Sequence, residues 1–129
     1  MTLHKLIIGS RKSKLALFQS NLIKTLIEKN FPSLQVSIKP IITTGDKILD
    51  RPLSKIGDKG LFTKEIEDAL LSEEIDLAVH SLKDLPTELP KELTISAYTA
   101  REEYRDAIVS KNNIPLIKLP NNAIVGTSS

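Results

Sequence analysis

The sequence predicts an α/β fold with a mainly parallel sheet and flanking helices, and three observations carry that expectation. Short, wholly apolar runs at Leu6-Ile7-Ile8 and Leu77-Ala78-Val79 read as strands buried on both faces. Between such runs the apolar spacing switches to a helical period, from Leu15 to Ile27 and again from Phe62 to Leu70. Strand, helix and strand in that order favour a right-handed βαβ unit whose strand ends gather on one rim.

Taking the elements in turn, Leu6-Ile7-Ile8 runs into Gly9-Ser10-Arg11-Lys12-Ser13, where the helical spacing begins. Leu15, Phe18, Leu22 and Leu26 form one stripe, Ala16, Ile23 and Ile27 widen it, and Asn30 and Pro32 end the helix. Ser10 or Ser13 can cap the first turn, where free backbone N–H groups and the helix dipole attract anions. Arg11 beside that terminus makes a carboxylate or phosphate site, or else Arg11 and Ser13 decorate a solvated turn; position alone leaves the two equal. Leu34, Val36 and Ile38 alternate with polar residues in a half-exposed strand that continues to Ile42 and ends in Thr43-Thr44-Gly45-Asp46. A βαβ unit would turn Arg11 and Asp46 toward one cleft.

Residues 47–59 are charged, contain Pro52 and Gly57 and show no period, so they read as a mobile lid or a plain surface loop, with Lys55 and Lys59 available to screen carboxylates. The next helix, TKEIEDALLSEE, turns Phe62, Ile66, Ala69 and Leu70 inward and carries its acidic residues early, as the dipole prefers. The run Leu77-Ala78-Val79 then empties into His80, Ser81, Lys83 and Asp84 before Pro86. Open α/β sheets collect ligands just beyond the carboxyl ends of their strands, which suits this loop to chemistry; a polar turn after a core strand is the bland reading. Further strands are expected at residues 93–99, 107–109 and 123–125, with a helical turn before the last and a Gly126-Thr127-Ser128-Ser129 exit. The expected domains are residues 1–99, carrying the polar loop, and 100–129, a hinge and the first elements of a second domain.

Composition narrows the function. The 129 residues suffice for one domain with a core and are short for two. A net charge of +2, with 18 basic and 16 acidic residues spread along the chain, argues against nucleic acid as a partner. There is no cysteine, which excludes disulfides and thiolate chemistry in these residues, and the two histidines are too isolated to suggest a metal. No secretory pattern opens the sequence and no apolar run approaches the ~20 residues of a membrane span, so the cytoplasm is the expected compartment. What remains is one carboxylate, Asp84, among Arg11, Ser13, Lys55, Lys59, Ser81 and Lys83. That mixture suits a small polyanionic ligand that develops positive charge.

Six strings, RKSKLALFQ, TTGD, KGLFTKEIEDALL, AVHSLKDLPT, RDAIVS and VGTSS, stand in an order that resembles the hydroxymethylbilane synthase (porphobilinogen deaminase) family along essentially the whole chain. The resemblance implies a domain like half of a periplasmic binding protein, and a cytoplasmic transferase of haem biosynthesis. That enzyme condenses four porphobilinogen molecules, losing ammonia each time, on a dipyrromethane cofactor. It further implies Asp84 as the catalytic acid that stabilises cationic pyrroles. Arg11, Ser13, Asp46, Lys55, Lys59, Phe62, Ser81, Lys83, Thr127, Ser128 and Ser129 would bind substrate and cofactor, the cations and hydroxyls among them through acidic side chains. Family members are monomers more than twice as long, with later arginines and a cysteine that carries the cofactor. By that measure the chain is expected to be an incomplete, inactive portion that self-associates beyond Arg105. The alternative expectation is a small-anion-binding module without turnover.

Overall fold

The computed structural model describes residues 4–48 and 60–127. Lys55, Lys59, Ser128, Ser129 and all but the first two residues of the expected lid lie outside them. The chain divides into two compact units, Met1–Ser96 and Ala97–Ser129.

In the first unit β1 (Lys5–Arg11), α1 (Lys14–Asn30) and β2 (Gln35–Ile41) follow one another. They lead to a one-turn helix α2 (Thr44–Lys47), to α3 (Lys64–Leu71) and to a two-residue strand β3 (Leu77–Ala78). The sheet is wholly parallel in the order β2-β1-β3, so the α/β class read from the sequence is the observed one. β1 is central: Leu6 stands opposite Val36, Ile8 opposite Ile38 and Gly9 opposite Ala78. Ile8, Gly9 and Ser10 are buried in succession, which alternating side chains permit only when both faces of the strand are covered.

The core on one face joins Ile66 and Ala69 of α3 to Ile75, with Ile7, Ile41, Leu70 and Ala78 packed against them. Gly9 is small for a reason, since a Cβ there would stand 2.2 Å from Ile75 Cδ1. α1 packs on β1 and β2. Of the two candidate caps, Ser10 and Ser13, it is Ser13 that caps it, accepting from the Ala16 amide at 3.2 Å. Its inward face differs from the expected stripe. Ala16 and Ser20 are buried with Ile23 and Ile27 half-buried, whereas Leu15, Phe18, Leu22 and Leu26 are exposed, Phe18 at 68%. The small residues let the helix approach the sheet closely, and that rotation turns the larger apolar residues outward.

Two further expectations are corrected. Leu77-Ala78-Val79 is half-buried because β3 pairs on one side only, with β1. The strands expected at residues 93–99, 107–109 and 123–125 are irregular backbone, with Val109 98% and Ile124 99% exposed. A strand exists through its ladder; among the described residues no strand of the sheet pairs with any of these runs, and none forms in the second unit. It contains instead two single turns of 3₁₀ helix, Lys111–Asn113 and Leu116–Lys118.

Candidate active site at the sheet switch point

The strand order fixes where a ligand can enter. From β1 the chain moves to β2 on one side, then returns to β3 on the other, so the connections diverge at the carboxyl ends of β1 and β3 and leave a crevice. Arg11 ends β1, Ser13 caps α1 two residues later, and the HSLKD loop follows β3. Between them lies a cleft of about 260 Å³, near the lower end of the ~300–1,000 Å³ usual for small-molecule sites. Arg11, Ser13, Phe62, Ser81, Lys83 and Asp84 all line it.

Arg11 is gripped from several directions. Its Nε and Nη2 donate to Asp46 Oδ1 at 3.2 and 2.5 Å, its Nη1 stands 3.8 Å from Asp84 Oδ2, and its Cζ lies 4.0 Å from the centre of the Phe62 ring. Asp46 is therefore behind Arg11 rather than on the cleft wall. The TTGD turn makes this possible. Thr43 and Asp46 form a capping box, in which the Asp46 amide and the Thr43 hydroxyl bond at 3.4 Å and the Asp46 carboxylate accepts from the Thr43 amide at 3.3 Å. Burial alone would raise the Asp46 carboxyl; Arg11 and Thr43 outweigh it and hold it below its ordinary value of 3.8.

Asp84 closes a single 3₁₀ turn, Leu82–Asp84, its amide donating to the Ser81 carbonyl at 2.9 Å. His80 lines the cleft beside it. Burial lowers the His80 pKa below 6.5, with Asp84 and Glu67 pulling upward and Arg11 downward, which favours the neutral ring. Thr127 is exposed in the second unit.

Sequence reasoning passed over Gln19, which lines the cleft and meets Ser81, its Nε2 donating to Ser81 Oγ at 3.1 Å while that hydroxyl approaches Oε1 at 3.2 Å. The signal was present: Ser13, Ala16 and Gln19 recur every three residues on one helix face, and all three line the cleft. The larger apolar stripe of Leu15 and Phe18 masks that spacing.

Together these features define an α/β protein with a cation-and-hydroxyl crevice around one carboxylate, built at the switch point of a parallel sheet. Residues 6–129 match the family model described as porphobilinogen deaminase, dipyromethane cofactor binding domain, and the chain belongs to that family. It is 61% identical over 124 residues to a porphobilinogen deaminase of Chloroherpeton thalassium, covering 96% of this chain and 40% of the relative. Similar proteins of the same name occur in Chlorobium phaeovibrioides, 57% identical over 125 residues, and Syntrophomonas wolfei, 58% over 122. These matches cover 97% and 95% of this chain and 40% of each relative. The chain thus spans about two fifths of the length of the curated relatives it matches. Among the described residues no helix is long and apolar enough to cross a membrane.

Proposed function

We propose that this chain is the catalytic-loop portion of a hydroxymethylbilane synthase, in which porphobilinogen units are joined with loss of ammonia. The observation that best supports this reading is the position of Asp84, beside the Arg11 guanidinium and the one carboxylate among the described residues that line the cleft, which Ser13, Gln19, His80, Ser81 and Lys83 share with apolar side chains. Loss of ammonia from an aminomethyl-pyrrole leaves a delocalised cation. A fixed carboxylate stabilises that cation and can move the ring proton, while Arg11, Lys83, Ser13 and Ser81 bind the substrate's carboxylates.

The dipyrromethane of the family has acidic arms of the same chemistry, and the donor set fits it: Arg11 and Lys83 offer charge, Ser13 and Ser81 offer hydroxyls, and Phe62 backs the Arg11 guanidinium. When bound it supplies the pyrrole end to which new units are added. Nothing among the 129 residues can hold it through sulfur, because the sequence has no cysteine.

Several narrower readings belong to the same proposal. Residues 1–99 form the domain that carries the catalytic loop, and 100–129 open a second one. Lys55, Lys59, Thr127, Ser128 and Ser129 bind further substrate carboxylates. The protein works in the cytoplasm, and exposed apolar residues beyond Arg105, among them Val109, Ile117 and Ile124, promote self-association that light scattering would detect.

The decisive experiment places Asp84→Asn in a full-length deaminase carrying this segment. Turnover should fall by about 10²–10³-fold, the usual cost of removing one preorganised electrostatic contact, with the melting curve retained. A near-normal rate would overturn the role given to Asp84. In a second arm, the 129-residue chain incubated with porphobilinogen should keep its intact mass, and a covalent pyrrole adduct would contradict the sulfur argument.

A further inference from the structure

The TTGD turn does more than supply Asp46. Gly45 sits on the buried side of α2, and a Cβ built on it would stand 2.2, 2.4 and 2.7 Å from three carbons of the Phe62 ring. Those contacts involve a rigid aromatic ring with no flexible end to swing aside. The Gly45 amide also donates to the Leu61 carbonyl at 2.7 Å, which fixes the backbone of the residue before Phe62 against the turn. From the other direction Glu65 of α3 accepts from the Thr44 amide and hydroxyl at 2.8 and 2.5 Å, so α2 and the start of α3 are clamped together. Phe62 is therefore seated on bare backbone, and its ring lies beneath the guanidinium of Arg11 at 4.0 Å.

The geometry points to Gly45 as a positioning residue: its missing side chain lets Phe62 pack directly against the turn, and Phe62 in turn supports the Arg11 guanidinium. Asp46, next in sequence to Gly45, engages Nε and Nη2 of the same guanidinium. One turn thus fixes both the edge and the face of Arg11, leaving Nη1 to turn toward Asp84. An arginine side chain has four rotatable bonds, and a stacked, bidentate guanidinium keeps little of that freedom. What this arrangement provides is a cation oriented before any ligand arrives, which reduces the ordering cost of binding. The inference rests on reading Arg11 as the anion-binding group of the cleft, but its test needs no ligand and no turnover.

The experiment follows the Arg11 Nε–H by NMR in the 129-residue chain, comparing wild type, Gly45→Ala, Phe62→Leu and the double variant. Gly45→Ala should accelerate exchange of that proton several-fold and shift its resonance toward the position seen in Phe62→Leu. The double variant should match Phe62→Leu alone, because with the ring gone a methyl at residue 45 has nothing to displace. Gly45→Ala that leaves the Arg11 signal as in wild type would overturn the inference. So would a double variant whose exchange rate multiplies the two single effects, since the glycine would then act by a route other than the ring. If Gly45→Ala does not fold, recovery of the fold in the double variant supports the seat, and failure of both contradicts it. A separate titration with porphobilinogen reports on the functional reading: loss of binding in every variant and in wild type alike would sink that reading while leaving the seat intact.

Discussion

Ile8, Ile66 and Ile75 in the first unit are at most 2% exposed, whereas Val109, Ile117 and Ile124 in the second are at least 91% exposed. The two sets are alike in chemistry, and Ile8, Val109 and Ile124 each stand in a short apolar run. They differ in what the backbone around them can pair with. Ile8 lies on a strand with a ladder on both sides, to β2 and to β3, and α1 and α3 both pack on that strand. Residues 107–109 and 123–125 have no strand partner among the described residues. An apolar triplet becomes a strand only where its N–H and C=O groups find partners, because leaving them unpaired in a buried place costs more than burying three side chains returns.

The largest effect expected from this contrast is in amide exchange. Amides of Ile7 to Gly9 should exchange at least ~10³-fold more slowly than those of residues 107–109, since the former open only with the whole unit and the latter have little structure to lose. Comparable rates in the two places would break the comparison.

Core truncation should follow the same division. Ile66→Ala removes three methyl-sized groups from a fully buried site and should cost about 2–5 kcal/mol, read from the urea midpoint. Ile124→Ala, at a site 99% exposed, should stay within about 0.5 kcal/mol of wild type. Equal losses would mean that the second unit has a core of its own.

Acid should weaken the first unit in two stages. His80 has a folded pKa lowered below 6.5, so as the pH drops under 6.5 the unfolded chain takes up a proton that the folded chain refuses, and stability falls. Asp46 is held below 3.8, mainly against burial and by Arg11 and Thr43; its contribution is complete above 3.8 and is lost as the pH falls through the lower, folded value. Thermal melts of His80→Gln should lose the first stage and keep the second. A variant with an unchanged profile would remove His80 from the account.

The smallest change concerns Ser20, whose hydroxyl is buried under α1 without a hydrogen-bond partner among the described residues. Ser20→Ala should be neutral or stabilising by up to about 1 kcal/mol, because the loss of an unsatisfied hydroxyl and the better helix propensity of alanine act in the same direction. A loss of more than that would show that the hydroxyl is bonded in solution.

Much of the first unit was legible in the sequence because its signals are local. The apolar run at Ile7 and Ile8, the cap at Ser13, the alternation at Val36 and Ile38 and the early acids of α3 each follow from a few neighbouring residues. The side of α1 that faces the sheet was not, since Leu15 and Phe18 are better core residues than Ala16 and Ser20 until the closeness of the sheet is known. The same limit hid the site's fine structure. Arg11 and Asp46 are 35 residues apart, Gln19 and Ser81 are 62 apart, and Gly45 matters only because Phe62 folds onto it. Such pairs come from topology, and no local spacing announces them.

The central claim, that the crevice between the ends of β1 and β3 binds the pyrrole carboxylates, is tested most directly by titrating the isotope-labelled chain with porphobilinogen. Backbone and arginine side-chain shifts should move at Arg11, Ser13, Gln19, Phe62 and residues 80–84, and Arg11→Ala with Lys83→Ala should abolish them. Saturating shifts that bypass these residues, or that survive loss of both cations, would contradict it.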